Sequence, residues 1–156
     1  MFILKKIGYK KVKNWKNFFR ATKCVIQFSK VVNLNSVRKN LNIRIQTKKQ
    51  DKTLDLIIKN NEKIFLCEAK HLNTSGGGQD KQISELIEII NLKEKNKNVS
   101  YIAFLDGNYS NILLHDKAAG GKLSTQREEI NKFLLCNPRS YWLNTIGFKS
   151  LFIDSK

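Results

Sequence analysis

Three charged residues stand in stretches that otherwise read as buried strand: Asp55 in LDLIIK, and Glu68 and Lys70 in KIFLCEAK. Glu68 and Lys70 are two apart, so they share one face of their strand. If the two strands pair through a turn at Asn60-Asn61-Glu62, Asp55 comes near Lys70 across the ladder, with Glu68 adjacent. Twelve residues, 56 to 67, separate the acids. The stretch HLNTSGGG follows, and its three glycines leave the backbone too free for regular structure. Two carboxylates and one ammonium therefore converge at a strand end, beside a loop that opens a helix. Metal-assisted phosphodiester hydrolysis needs such a set. Carboxylates are hard oxygen ligands suited to Mg²⁺. The cation lowers the pKa of a bound water and neutralises charge developing on phosphorus. Lys70 can hold or activate the attacking water, and amides near Gly78 and Gln79 can hold a phosphate at the helix start.

The elements that must position these residues follow from periodicity. LNIRIQTK alternates Leu41, Ile43 and Ile45 with polar residues, which predicts a half-buried strand over 41–48. With LDLIIK and KIFLCEAK it makes a three-strand antiparallel meander. From Gln79, Ile83, Leu86, Ile87 and Ile90 share one helix face. VSYIAFL (99–105) reads as a buried strand ended by the turn Asp106-Gly107, and 124–135 as a helix capped by Ser124 or Thr125. GFKSLFI (147–153) reads as a last short strand. Upstream, Trp15, Phe18 and Phe19 recur at helical spacing within 12–33, and Ser36 is placed to cap a turn before Leu41. The expected fold is α/β (α+β), a mixed central sheet containing the meander and flanked by helices. The chain is expected to be a single domain over 1–156, with a basic helical arm over 1–40 and a catalytic core over 41–153.

Residues 1–50 carry fourteen Lys or Arg and no Asp or Glu, whereas the remainder is nearly balanced; the whole chain has a net charge of +16. Codon bias can enrich lysine, but it gives no reason to remove every acid from fifty residues. A polyanion partner does, because an acid on that surface would repel phosphate. Double-stranded DNA is the expected partner, with Lys10, Lys11, Lys13 and Lys16 of the arm and Lys81 as contacts. No apolar run is long enough for a transmembrane helix, and the start MFILKKIGYKK has the wrong charge order for a signal peptide. Cys24, Cys67 and Cys136 are far apart and form no metal-ligand spacing, so reduced thiols are expected, with a cytoplasmic location in a bacterial or archaeal cell.

At these residues the chain resembles the PD-(D/E)xK nuclease superfamily, and within it type II restriction endonucleases. Asp55 matches the first acid, and Glu68, Ala69 and Lys70 match the ExK part. EAKHLNTSGGGQDKQISELIEII, then YIAFLDG, then NPRSYWLNTIGF look like the catalytic half of such enzymes, over about residues 41–153. The resemblance implies a restriction-endonuclease-like core and Mg²⁺-dependent cleavage of DNA to 5′-phosphate and 3′-hydroxyl ends. It implies metal ligation by Asp55, Glu68 and the carbonyl of Ala69. Gln79 and Gln82 would help position the site or the DNA backbone. A homodimer and a cognate DNA methyltransferase are further implications. Leu54 stands where the motif has proline, and residues 1–50 offer no further acid, so Asp51 is the nearest upstream substitute. The chain is short for such an enzyme; a C-terminal or truncated portion of a longer protein is an expectation kept beside the complete one. Two alternatives share the same residues: a repair or junction-resolving nuclease of this fold, and a DNA-binding fragment without turnover. His71 is read as a loop residue and His115 as structural. AAGGKLST is not a P-loop, because Leu123 stands where Ser or Thr is required.

Overall fold

Leu56–Asn60 (β3) and Lys63–His71 (β4) form the expected antiparallel hairpin, with Leu56 opposite Cys67 and Asn60 opposite Lys63. The turn is tight because Asn61 takes a left-handed backbone, φ 54°, which asparagine tolerates better than most residues. The structure is a computed structural model that describes residues 2–46, 54–73, 77–115 and 121–153, with the backbone alone at Gly77 and His115. Asp51 and the His115 side chain thus lie outside the described residues.

Around the hairpin the sheet extends in both directions. Lys23–Gln27 (β2) runs antiparallel to β3, and Lys10–Val12 (β1) runs parallel to β2. On the other side Val99–Asp106 (β5) runs parallel to β4, and Ser140–Leu143 (β6) parallel to β5. The spatial order is β1-β2-β3-β4-β5-β6. The helices are Phe2–Lys6 (α1), Trp15–Arg20 (α2), Leu34–Leu41 (α3), Gly77–Ile90 (α4), Asn108–His115 (α5), Lys122–Cys136 (α6) and Thr145–Ile153 (α7). The parallel steps β4-α4-β5 and β5-α5-α6-β6 advance in one direction. Crossovers of one hand therefore lay α4 and α6 on the same face. There Ile83, Leu86, Ile87 and Ile90 of α4 pack with Ala103 and Leu105 of β5 and Ile130 of α6. On the opposite face, Phe148 and Phe152 of α7 pack with Leu4, Val25, Ile58, Phe65, Cys67 and Ile102. Each fully buried aliphatic side chain in these layers contributes about 1.5–3 kcal/mol. The mixed sheet with its antiparallel meander and flanking helices is the expected fold class, and it is compatible with a restriction-endonuclease-like fold.

Several elements differ from expectation. The first strand of the meander is β2, not 41–48. Ile43 and Ile45 are buried and Asn42, Arg44 and Gln46 exposed, as alternation predicts, but the backbone there pairs with side chains. The Glu94 carboxylate accepts from the amides of Arg44 (3.1 Å) and Ile45 (2.8 Å). The Arg38 guanidinium donates to the carbonyls of the same two residues. Residues 47 and 48 lie outside the described residues. The helix expected within 12–33 is only the six residues of α2, capped by Asn14 and ended by an extended Ala21. Cys24, Val25 and Ile26 are all buried, since both faces of β2 are covered, and a continuous apolar run cannot be told from a buried helix by period. Residues 1–40 are thus not a helical arm; they supply β1 and β2 to the sheet. Asn33, not Ser36, caps α3, and Ser36 closes a reciprocal capping box with it. Helix α6 starts at Lys122 without a side-chain cap. Residues 147–153 are helical within α7: Phe148 and Phe152, four apart, are the buried pair, and β6 is the preceding SYWL.

Candidate active site

Glu68 and Lys70 project from the end of β4 on the face that carries Leu66, which alternation assigns to the α4 side. Glu68 is 4 % exposed, and the Lys70 ammonium lies 2.8 Å from its Oε1. A carboxylate so buried is tolerated because it is paired and hydrogen-bonded. A second carboxylate, Glu85 of α4, lies 3.6 Å from the same ammonium. Burial pulls the Lys70 pKa down. The hydrogen bond and charge of Glu68, with the charges of Glu85 and Asp55, outweigh that and raise it above its ordinary 10.5. Lys70 is therefore an ammonium at neutral pH.

Asp55 precedes β3 and leaves the regular ladder. Its amide donates to the Cys67 carbonyl (3.0 Å), although Leu56 is the residue opposite Cys67. Two residues thus face one, as in a bulge, and bulges re-aim side chains. The Asp55 Oδ2 accepts from the Ala69 amide at 2.7 Å, between Glu68 and Lys70 in sequence. A strand residue presents its N–H and C=O to the same side, so the Ala69 carbonyl also lies toward Asp55. Sequence reasoning placed Asp55 nearest Lys70; the direct contact is instead with the backbone of Ala69. Beside Asp55 is a cleft of about 370 Å³ lined by Gln27, Phe28, Ser29 and Leu54. A larger cavity, about 850 Å³, lies at the opposite end of the sheet among Arg44, Glu94 and Asn96. Its charged wall is already engaged, because Glu94 holds the 44–45 backbone and the Tyr101 hydroxyl. Of the two, the smaller cleft is the one that Asp55 lines.

The end of β4 is held in place by its neighbour. The Leu72 amide donates to the Asp106 carbonyl (2.9 Å) and the Tyr109 amide to the Leu72 carbonyl (3.0 Å). Gly107 makes this approach possible: at φ 93° it is a left-handed turn, and a methyl group there would run into the Leu72 carbonyl oxygen. Asp106 accepts from Thr145 Oγ1 at 2.7 Å, a structural use consistent with its turn position.

Helix α4 carries Gln79, Lys81 and Gln82 in its first two turns; Lys81 is exposed, Gln79 and Gln82 half-buried. Gln82 is three residues before Glu85, hence on the same side of the helix. Asp80 is engaged by Lys122 and Gln126 of α6, and Gln126 by Tyr109, which ties the start of α4 to α5 and α6. Lys10 and Lys11 sit on β1, Lys13 just after it and Lys16 on α2, all exposed. Strands β1, β2 and β4 run in one direction, so Lys13 and Lys16 emerge at the sheet end that carries Glu68, whereas Lys10 starts β1 toward the other end. His71 is exposed at the end of β4. Glu85 is the residue that sequence reasoning missed. Its three-residue spacing from Gln82, on the side of a predicted helix following the ExK strand, was the available signal.

Among the described residues no three His, Cys, Asp or Glu side chains converge as a group that could hold a metal. Two carboxylates with a backbone carbonyl beside them still suit Mg²⁺, which keeps several waters and commonly takes only one or two protein carboxylates. The donor set fits that cation.

Fold and site together define a mixed-sheet α/β protein with an acid–acid–lysine cluster at a strand end. The family model described as DpnII restriction endonuclease matches residues 7–112. That is more than half of the chain, and it runs from β1 through β5 and most of α5. The chain belongs to the DpnII restriction endonuclease family, a family of type II restriction endonucleases. No curated protein and no solved structure matches it. No described helix is long and apolar enough to cross a membrane.

Proposed function

We propose that this chain is a Mg²⁺-dependent, site-specific endodeoxyribonuclease of the PD-(D/E)xK type that hydrolyses duplex DNA in restriction–modification. The observation that carries the reading is the Asp55–Ala69 hydrogen bond. It sets the first acid against the strand segment that bears Glu68 and Lys70. Asp55, Glu68 and the Ala69 carbonyl are the proposed Mg²⁺ ligands. Bound there, the cation would supply Lewis-acid stabilisation of the charge developing on phosphate. The Lys70 ammonium donates to and orients the attacking water, and Gln79, Lys81 and Gln82 hold the DNA backbone at the start of α4. One such site cuts one strand, so a double-strand cut calls for two copies of the chain. A cognate methyltransferase is the functional partner in a cytoplasmic setting. The test is plasmid DNA with and without Mg²⁺. Discrete fragments that require the cation support the reading. A metal-independent smear or structure-specific nicks would favour another nuclease, and binding without cleavage would favour the fragment alternative.

The exposed lysines near β1 are expected to supply sequence-independent affinity. β1 lies three strands from β4, about 14 Å, within the roughly 34 Å span of one duplex turn. About 4–6 phosphate contacts would give a slope of about −4 to −5 in log affinity against log salt. Neutralising Lys10, Lys11, Lys13 and Lys16 together should weaken binding to every sequence and flatten the slope. Lysines on an edge strand also discourage strand pairing between molecules. Unchanged affinity at moderate salt, accompanied by aggregation of the variant, would assign them to that role instead.

A further inference from the structure

The geometry points to Glu85 as a positioning residue that keeps Lys70 aimed at the reaction centre when Glu68 turns to the metal. This inference rests on the nuclease reading above. In the structure Lys70 lies between two carboxylates, 2.8 Å from Glu68 and 3.6 Å from Glu85. Under the proposed function these two have different duties. Glu68 is to serve a divalent cation, and its oxygens cannot neutralise that cation and hold an ammonium equally well. The cation would also repel the ammonium. A lysine anchored only by Glu68 would lose its orientation at the moment it is needed, because its four-carbon stem has many rotamers.

Glu85 provides the second anchor from a different element. Its helix is fixed to the sheet by Ile83, Leu86 and Ile90, each 0 % exposed, on either side of it in sequence. A side chain on a rigid, packed helix holds its partner more closely than one on a loop. Its carboxylate lies against the Lys70 ammonium, so its assigned action is on Lys70 and not on the cation. Ala has the highest helix propensity, so removal of the Glu85 carboxylate leaves α4 intact.

The experiment compares the full-length parent with Glu85→Ala, Glu85→Gln, Lys70→Ala and the Glu85→Ala/Lys70→Ala double variant on one duplex. Melting curves verify folding. Glu85→Ala should lower kcat by about 10–100-fold, the usual effect of an outer partner, with KM for DNA nearly unchanged. Glu85→Gln, which can still accept from Lys70, should recover most of the loss. The double variant should be no slower than Lys70→Ala, because both changes remove one function. Mn²⁺ binding in the absence of DNA, read from the paramagnetic resonance of free Mn²⁺, should match the parent for Glu85→Ala and fall for Asp55→Asn. Parent-like kcat in Glu85→Ala, additive losses in the double variant, or a loss of Mn²⁺ affinity as large as that of Asp55→Asn would each overturn the assignment; the last would make Glu85 a ligand. A parent that fails to cut, with Asp55→Asn indistinguishable from it, would overturn the nuclease reading itself, which is a separate result.

Discussion

Asp55→Asn and Glu68→Gln are each expected to lower Mg²⁺-dependent cleavage by on the order of 10³-fold or more, about 4 kcal/mol of transition-state stabilisation. These substitutions keep the size of the side chain and remove the charge that a cation needs. Asn at 55 can still accept from the Ala69 amide through its carbonyl oxygen, so the contact that joins the two strand ends survives. Gln at 68 can still accept from Lys70. The fold should therefore remain, and so should metal-free binding of duplex DNA, because the basic surface does not involve either acid. Loss of a nearby carboxylate also relieves repulsion in the absence of metal. The check is initial cleavage rate beside metal-free affinity, on protein purified away from host nucleases. Either variant cutting at the parent rate would remove that acid from the site.

The second large effect is expected at Lys70. Lys70→Ala should slow cleavage by about 10²–10⁴-fold, the range for a group that handles a proton or water in the transition state. Lys70→Arg should recover little of this. Between Glu68 and Glu85 there is room for a compact ammonium, and a planar guanidinium fork would have to displace one of the two carboxylates. The raised Lys70 pKa also has a consequence for stability. A lysine whose folded pKa lies above its unfolded value contributes stability that is fully present below the unfolded value of 10.5. That contribution is lost only as pH rises through the higher folded value. The difference in melting temperature between parent and Lys70→Ala should therefore be flat from about pH 6 to about pH 9 and shrink only in stronger alkali. A difference that fades between about pH 7 and about pH 8 would show that Lys70 deprotonates there, and would favour a general-base role. Strong cleavage by Lys70→Arg would instead reduce Lys70 to charge balance.

Residue type and local period by themselves determined the parts of this protein that depend on neighbours in sequence. The hairpin of β3 and β4, the face shared by Glu68 and Lys70, the buried β5 and the apolar stripe of α4 all follow from alternation or from 3.6-residue spacing. So does the acid-free charge of residues 1–50. Tertiary structure decided what local pattern leaves open. LNIRI alternates like a strand, yet Glu94 and Arg38, distant in the chain, take the backbone bonds that a ladder would have used. KCVIQ and GFKSLFI are apolar runs too short for period to separate strand from helix. The first became β2 because β1 and β3 flank it, and the second became α7 because Phe148 and Phe152 fill one sheet face. At the site, the acids were legible as types and spacing. The departure of Asp55 from the ladder to reach the Ala69 amide, and the arrival of Glu85 beside Lys70, were not. The first is set by the bulge before β3 and the second by how α4 packs on the sheet, and contacts across elements leave no period in the chain.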